Sequence, residues 1–355
     1  MTDQHVAMQP PQSSTLARPS AGAQSQSWRK WLRGRYRSGA LIAVLVLEIA
    51  FWSLATPRFL SATNLINILL AASVVGIIAV GMLFVILTAG IDLSVGSMVS
   101  FAGIAVAASL GVIDSIFIAL LVTFAVGAVS GWFVGTLVGK LRIPALIMTL
   151  GMYYVLAAGA QIWEGGRSIP VTNEAVLLLG SGYLGPIPVP VLVLLVVYAL
   201  GWYLLTLTKF GRHVYAIGGN PQAARRAGVR VEGTLTWVYV ISAVLAALGG
   251  LLYAGRLATA SPLTGTMLEL QVIAAVVVGG ASLLGGRGNL RDTFVGVLVL
   301  AILQNGMTLI GVPNFWQNFL NGVVLIMAVL LSGDSGLLDM FGRRARTSAP
   351  RATKS

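Results

Sequence analysis

Residues 209–233 read KFGRHVYAIGGNPQAARRAGVRVEG, the longest polar interruption among segments that are otherwise apolar enough to live in lipid. Its centre predicts a very short helix. Asn220 suits the capping position and Pro221 the first helical one, where the amide that proline lacks has no partner anyway. Gly228 can end the helix in the left-handed conformation. Residues 222–227 make about two turns, roughly 10 Å. Ala223, Ala224 and Ala227 fall near one face, with Arg225 and Arg226 offset from it. Such a small, smooth, basic peg reads either as a plug for a cytoplasmic socket or as a solvated connector, made basic because cytoplasmic loops favour Lys and Arg.

The surroundings of this stretch set its solvent. The chain has 355 residues, 57% hydrophobic and only 10% charged. A soluble domain carries about 25% charged residues, so most of the surface here must face lipid. The fold class expected is therefore all-α and polytopic. The net charge of +12 does not point to nucleic acid, because the basic residues sit in short clusters between apolar spans. There is no cysteine, which excludes disulfides, thiol catalysis and thiolate metal sites. His5 and His213 lie far apart in sequence, so neither a metal site nor a catalytic set is expected.

Residues 1–27, rich in Gln, Ser, Ala and Pro, read as disordered, and 28–37 (WRKWLRGRYR) as a basic, aromatic collar at the cytoplasmic lipid surface. Together, 1–37 form a cytoplasmic tail. A cleavable signal peptide is the competing reading; the long preceding tail and the lack of a clear small-residue cleavage site argue against it, and the small residues near Ala55 argue for it. The membrane domain is 38–333, with 209–233 as its cytoplasmic loop, followed by a basic cytoplasmic tail, 334–355. Runs of spanning length fall at 39–56, 65–89, 94–113, 115–138, 144–163, 187–207, 234–255, 268–285, 293–311 and 315–332, about ten helices. With both termini in the cytoplasm, all but three of the 23 Lys and Arg lie on the cytoplasmic side, the exceptions being Arg58, Arg167 and Arg256. Removing one span would break that asymmetry downstream.

Few ionisable groups enter the apolar segments. Glu48 lies in the first run, Glu269 at the outer start of the eighth, and Asp92 in a break between the second and third. Glu48 reads as a snorkelling or partner-packing acid as readily as a pathway residue. Gly127, Gly131, Gly135 and Gly139 form a small-residue stripe, the spacing that lets helix backbones approach closely. Two glycine-rich breaks resemble each other, LTAGIDLSVGS (87–97) and VGGASLLGGRG (278–288), and both are expected at the cytoplasmic face. Broken helices of this kind are tolerated beside water or protein. Asp92 is expected to order the first break by accepting hydrogen bonds from local amides or Ser94.

Three segments together, IDLSVGSMVSFAG (91–103), AIGGNPQAARRAGV (216–229) and VVVGGASLLGGRGNL (276–290), resemble the membrane permeases of ribose-type sugar ABC importers, in the group that also serves branched-chain amino acids. The resemblance covers nearly the whole chain from about residue 38 to 332. It implies a cytoplasmic ABC ATPase that binds ATP and Mg, with no cofactor in this chain. It also implies a periplasmic or extracellular sugar-binding protein, a second permease copy (identical or a sister chain), and the bacterial inner membrane as location. Gly218, Gly219, Asn220, Pro221, Ala223, Ala224, Arg225, Arg226, Ala227 and Gly228 then become the helix that couples to the ATPase. The outer stretch 160–190, with Glu164, Arg167 and Glu174, becomes part of the binding-protein dock, joined by Arg58 and Arg256. Candidates for the translocation path, chosen by side-chain type, are Asp92, Ser94, Ser97, Gln304 and Asn305. Each of these can equally bond a neighbouring helix.

The motor must be another chain, because no G-x-x-x-x-G-K-[ST] loop occurs and GGRGN (285–289) lacks the phosphate-binding lysine. An ion-coupled symporter is the main rival, but it needs acids or ion ligands at mid-membrane, and Asp92 lies in a cytoplasmic break. A lipid-modifying enzyme would need His or Cys sets that are missing. A scaffold would have no use for the breaks. Within the importer class, branched-chain amino acids are the alternative cargo.

Overall fold

The computed structural model describes residues 39–331. The tails read at 1–37 and 334–355 lie outside the described residues, as do 38, 332 and 333. The described chain is almost wholly helical: α1 (Gly39–Ala55), α2 (Ala62–Leu87), α3 (Val95–Val112), α4 (Ile116–Gly139), α5 (Ala145–Trp163), α6 (Glu174–Ser181), α7 (Val189–Trp202), α8 (Lys209–Gly219), α9 (Pro221–Arg226), α10 (Val231–Leu257), α11 (Leu268–Val278), α12 (Leu290–Leu309) and α13 (Asn314–Leu331). A π-helical turn, Tyr203–Leu207, joins α7 to α8. Four two-residue strands lie outside the helices: β1 (Ile169–Pro170), β2 (Tyr183–Leu184), β3 (Ile187–Pro188) and β4 (Thr259–Ala260). β1 pairs antiparallel with β4, and β2 with β3.

Seven of these helices are long and apolar enough to cross a membrane, namely α2, α3, α4, α5, α7 with its π turn, α10 and α12. The chain is an all-α, multi-pass membrane protein. Its centre is α2, whose apolar residues run all round the helix, so it has no face to offer water. α10, α12, α7, α11 and α8 surround it. Ser61 starts α2 by accepting the amide of Asn64 (3.3 Å). The outer helices carry their large apolar side chains outward, among them Phe117, Trp132, Ile147 and Leu195, as lipid contact requires.

The glycine stripe of α4 lies along α10. A Cβ on Gly127, Gly131 or Gly135 would come within 2.7, 2.6 and 2.7 Å of the Cα atoms of Val244, Val240 and Thr236. Thr236 Oγ1 donates across the same seam to the Gly135 carbonyl (3.2 Å). The stripe is thus a packing seam between two backbones.

Two expectations change. The run 268–285 is not one helix: α11 ends at Val278, and 11 residues span about 16 Å, half a bilayer core. α12 comes so close that a Cβ at 279 would lie 2.6 Å from the Thr293 Cα, which requires Gly279, and the helix ends where Gly280 turns the chain at φ +95°. The loop 209–233 is also more helical than its polarity suggests. α8 buries Val214 and Ile217, and α10 begins at Val231 rather than 234.

The seam yields a stability prediction. Gly131→Leu should destabilise the detergent-solubilised protein by about 1–3 kcal/mol through overpacking, read as a lower Tm. Gly151→Leu on α5, where a side chain meets nothing within 4 Å, should leave Tm unchanged.

Candidate functional site

The polar centre of the molecule's loop side is built by α8 and α9. Thr208 caps α8 by accepting the Gly211 amide (3.3 Å). Hydrophobic residues then fall inward, and Phe210 stacks on Phe84 of α2 with ring centroids 6.1 Å apart. Asn220 is extended (φ −162°, ψ 103°), and its Oδ1 accepts the amides of Gln222 (3.0 Å) and Ala223 (2.9 Å). Pro221 takes the first helical position, and the turn closes with Ala227 N donating to Ala223 O (3.0 Å) and Gly228 at φ +84°.

The three alanines do not share a fate. Ala224 is buried against Ile217 and Val231, while Ala223 and Ala227 are exposed. The small size of residue 224 therefore serves this chain's own packing, because helix rotation turns it away from the outward face. That face consists of Gln222, Ala223, Arg226 and Ala227. Arg225 pairs with Glu232 at the start of α10 (2.6 Å), tying α9 to that helix. The pair is well exposed and its stabilisation is small, so its role is to orient.

Behind this peg, both glycine-rich breaks meet. The Gly286 amide donates to the Leu87 carbonyl at the end of α2 (2.9 Å). Gly218 of α8 lies against both atoms so closely that any Cβ would strike them. Gly285 (φ +85°) packs on Ala89 and Gly218 in turn, with 2.8 Å from a Cβ position to the Ala89 amide. Tyr215 donates its hydroxyl proton to the Gly288 carbonyl (2.9 Å), and burial raises its pKa, which keeps it a neutral donor. The three segments singled out in the sequence thus touch within a few residues of one another.

The first break then climbs beside α10. Asp92 is 2% exposed, and its Oδ1 accepts the Ser94 amide (3.0 Å) and hydroxyl (2.6 Å). Its Oδ2 accepts the hydroxyl of Ser242 (2.8 Å), 11 residues into α10 and so about 16 Å from that helix's start. Ser97 donates to the Ser94 carbonyl (2.9 Å). Ser242 and its neighbour Tyr239, whose buried hydroxyl faces Gly90, escaped the sequence reading. Their i, i+3 spacing on α10 was the available signal.

Gln304 and Asn305 lie elsewhere and are engaged with other helices. Gln304 accepts from Gln271 of α11 (2.9 Å), and Asn305 exchanges two amide bonds with Asn64 of α2 (2.9 and 2.8 Å). The structure gives both a helix-bonding role and does not bring them to Asp92. At the far end of α10, four of the proposed docking residues gather. Glu164 follows α5, Arg167 precedes β1, Glu174 opens α6 and Arg256 closes α10. The β1–β4 pair and the close packing of Gly180 on Gly255 hold these elements together. Asn173 caps α6 and donates to Asp114 in the α3–α4 turn (2.6 Å). Arg58 stands apart, exposed in the α1–α2 turn. Among the described residues, no group of three His, Cys, Asp or Glu could hold a metal ion.

Comparison with known proteins places this architecture. Residues 64–329 match the family model of the branched-chain amino acid transport system / permease component. The ribose import permease protein RbsC of Haemophilus influenzae is 40% identical over 296 residues, covering 82% of this chain and 91% of that protein. The xylose transport system permease protein XylH of Haemophilus influenzae is 34% identical, covering 81% and 94%. The L-arabinose ABC transporter permease protein AraH of Azospirillum brasilense is 35% identical, covering 83% and 86%. No solved structure matches the chain. With residues 64–329 matched by that model, this chain belongs to the branched-chain amino acid transport system / permease component family.

Proposed function

We propose that this chain is the membrane subunit of an ATP-driven importer that receives a monosaccharide from an extracytoplasmic binding protein and passes it into the cytoplasm. The observation that carries the reading is the convergence of the exposed α9 peg, through Gly218, on the two broken segments. A force applied to the peg reaches the breaks through rigid backbone contact. The relatives at 34–40% identity are named for ribose, xylose and arabinose, which favours a sugar over an amino acid as cargo.

In this reading the chain is not itself an enzyme, and ATP and Mg²⁺ bind a separate cytoplasmic ATPase. The socket of that ATPase receives Ala223, Arg226 and Ala227, with Gly218, Gly219, Asn220, Pro221, Arg225 and Gly228 shaping the peg and Ala224 supporting it from within. Asp92, Ser94 and Ser97 set the geometry of the break that borders the path, while Gln304 and Asn305 hold the helices around it. Glu164, Arg167, Glu174 and Arg256 present the surface for the binding protein, and Arg58 adds a separate contact. A second permease copy, identical or a sister chain, completes the pathway in the bacterial inner membrane. Ten crossings, counting α1, α13 and α11 with the turns that lead into it, put both termini in the cytoplasm.

Three outcomes are expected. Reconstituted with its ATPase and binding protein, the chain should support ATP-dependent uptake of at least one of D-ribose, D-xylose and L-arabinose. Uptake driven by a pH jump without ATP would overturn the importer reading. Ala223→Trp should weaken ATPase co-purification about tenfold or more by overpacking the socket. Ala224→Trp should instead lower the permease's own Tm, and equal docking in Ala223→Trp and wild type would sink the peg assignment. The native chain lacks cysteine, so single cysteines at Ala223 and Arg167 can be labelled one at a time with a membrane-impermeant maleimide. Arg167→Cys should react from outside and Ala223→Cys only after the cytoplasmic face is opened. The reverse pattern would refute the orientation.

A further inference from the structure

Beside the middle of α10, the first turn of α3 meets the start of α11. Gly265 donates its amide to the hydroxyl of Ser100 (2.9 Å), and Gly96 and Gly265 pack backbone on backbone, with 2.5 Å from a Gly96 Cβ position to the Gly265 carbonyl. Into this contact Glu269 projects from the first turn of α11. It is 8% exposed, and its Oε2 has no hydrogen-bond partner. That oxygen lies against Gly96, where any Cβ would strike it. An unpartnered carboxylate oxygen so deep in a membrane protein is costly, and such residues are retained for function.

The other side of the contact has the opposite deficit. Ser94 precedes α3 but makes no capping bond, because its hydroxyl donates to Asp92. The first bond of α3 runs from the Met98 amide to the Ser94 carbonyl (2.8 Å). The amides of Val95, Gly96 and Ser97 are therefore unpaired among the described residues. An open acceptor thus lies against the same turn of α3 whose first amides are open. Tyr153 of α5, half-buried, lies within electrostatic reach of Glu269.

The chemistry of a ligand follows from that pairing. An anion suits a helix N-terminus but is repelled by Glu269, and a cation has the opposite conflict. An alcohol hydroxyl donates to the carboxylate and accepts from the amides, so it satisfies both deficits with no net charge. We propose that Glu269 and the first turn of α3 form a hydroxyl-binding station for a neutral, polyhydroxylated solute, exposed when α3 and α11 part during transport. The station rests on the import reading and adds to it a specific contact with the cargo. Residue 96 must be glycine here, because a side chain would strike both the Gly265 carbonyl and the Glu269 carboxylate.

The test uses the complete importer, permease with ATPase and binding protein, in proteoliposomes fed D-ribose, D-xylose or L-arabinose. Glu269→Gln keeps the shape but removes the charge, and Glu269→Asp keeps the charge but withdraws it by one methylene. Both should assemble with the ATPase and melt within a few degrees of wild type. For the sugar that wild type carries, Glu269→Gln should lower the maximal uptake rate about tenfold or more, as loss of one charge-assisted hydrogen bond implies. The concentration of loaded binding protein giving half-maximal uptake should stay the same, and Glu269→Asp should fall between the two. Wild-type rates in Glu269→Gln, beside an active wild type, would overturn the station alone. Loss of assembly or a large fall in Tm in both variants would also overturn it, by making Glu269 a structural residue. Failure of wild type to take up any of the three sugars would instead overturn the import reading, and the station with it.

Discussion

Leu87 ends α2 with its carbonyl oxygen facing protein rather than water, and the amide of Gly286 is what it meets there. A backbone group released from a helix at membrane depth must find its partner inside the protein. Most of the surrounding architecture follows from that requirement. Gly218 must lack a side chain so that α8 can cover the bond, and Gly285 and Gly286 must take positive φ so that the second break can reach the first. Tyr215 satisfies the carbonyl of Gly288 from the same helix. The connector between α7 and α10 is thus a lid over two interrupted helices, and its polarity belongs only to its outer side.

Asp92 meets the same requirement farther along the first break. Three donors converge on its carboxylate, two from Ser94 and one from Ser242. They fix the irregular residues that carry the chain from Ala89 to the start of α3. One consequence is that Ser94 is no longer available to cap α3. A second is that α3 begins beside the middle of α10 rather than at its end, so its free amides sit deep in the structure.

Much of this was legible in the order of residues. The apolar runs mark the helices because lipid imposes one composition on every span, and Asn220, Pro221 and Gly228 mark α9 because capping is a local property. The breaks at 87–97 and 278–288 were visible as glycine-rich interruptions. What escaped depends on distant parts of the chain. The Asn64–Asn305 amide pair joins residues 241 positions apart, and no local pattern distinguishes a helix-bonding amide from one that lines a path. Ala224 looked like Ala223 and Ala227 until the rotation of α9 against Ile217 was fixed. The end of α11 is hidden inside the run 268–285 because apolar residues continue past it, while the stop is the left-handed turn at Gly280.

α10 runs unbroken for 27 residues, from the Arg225–Glu232 clasp at one end to the β4 strand and α6 at the other. At 1.5 Å per residue it is a shaft of about 40 Å. Four glycines of α4 let it lie against a second backbone along its inner half, which stiffens it further. A shaft transmits tilt without delay and without a choice of route. Whatever binds the α9 end and whatever binds the α6 end therefore read the position of one rigid body. By thermodynamic reciprocity, where occupants of both ends distinguish between tilts, each changes the other's affinity by the same free energy.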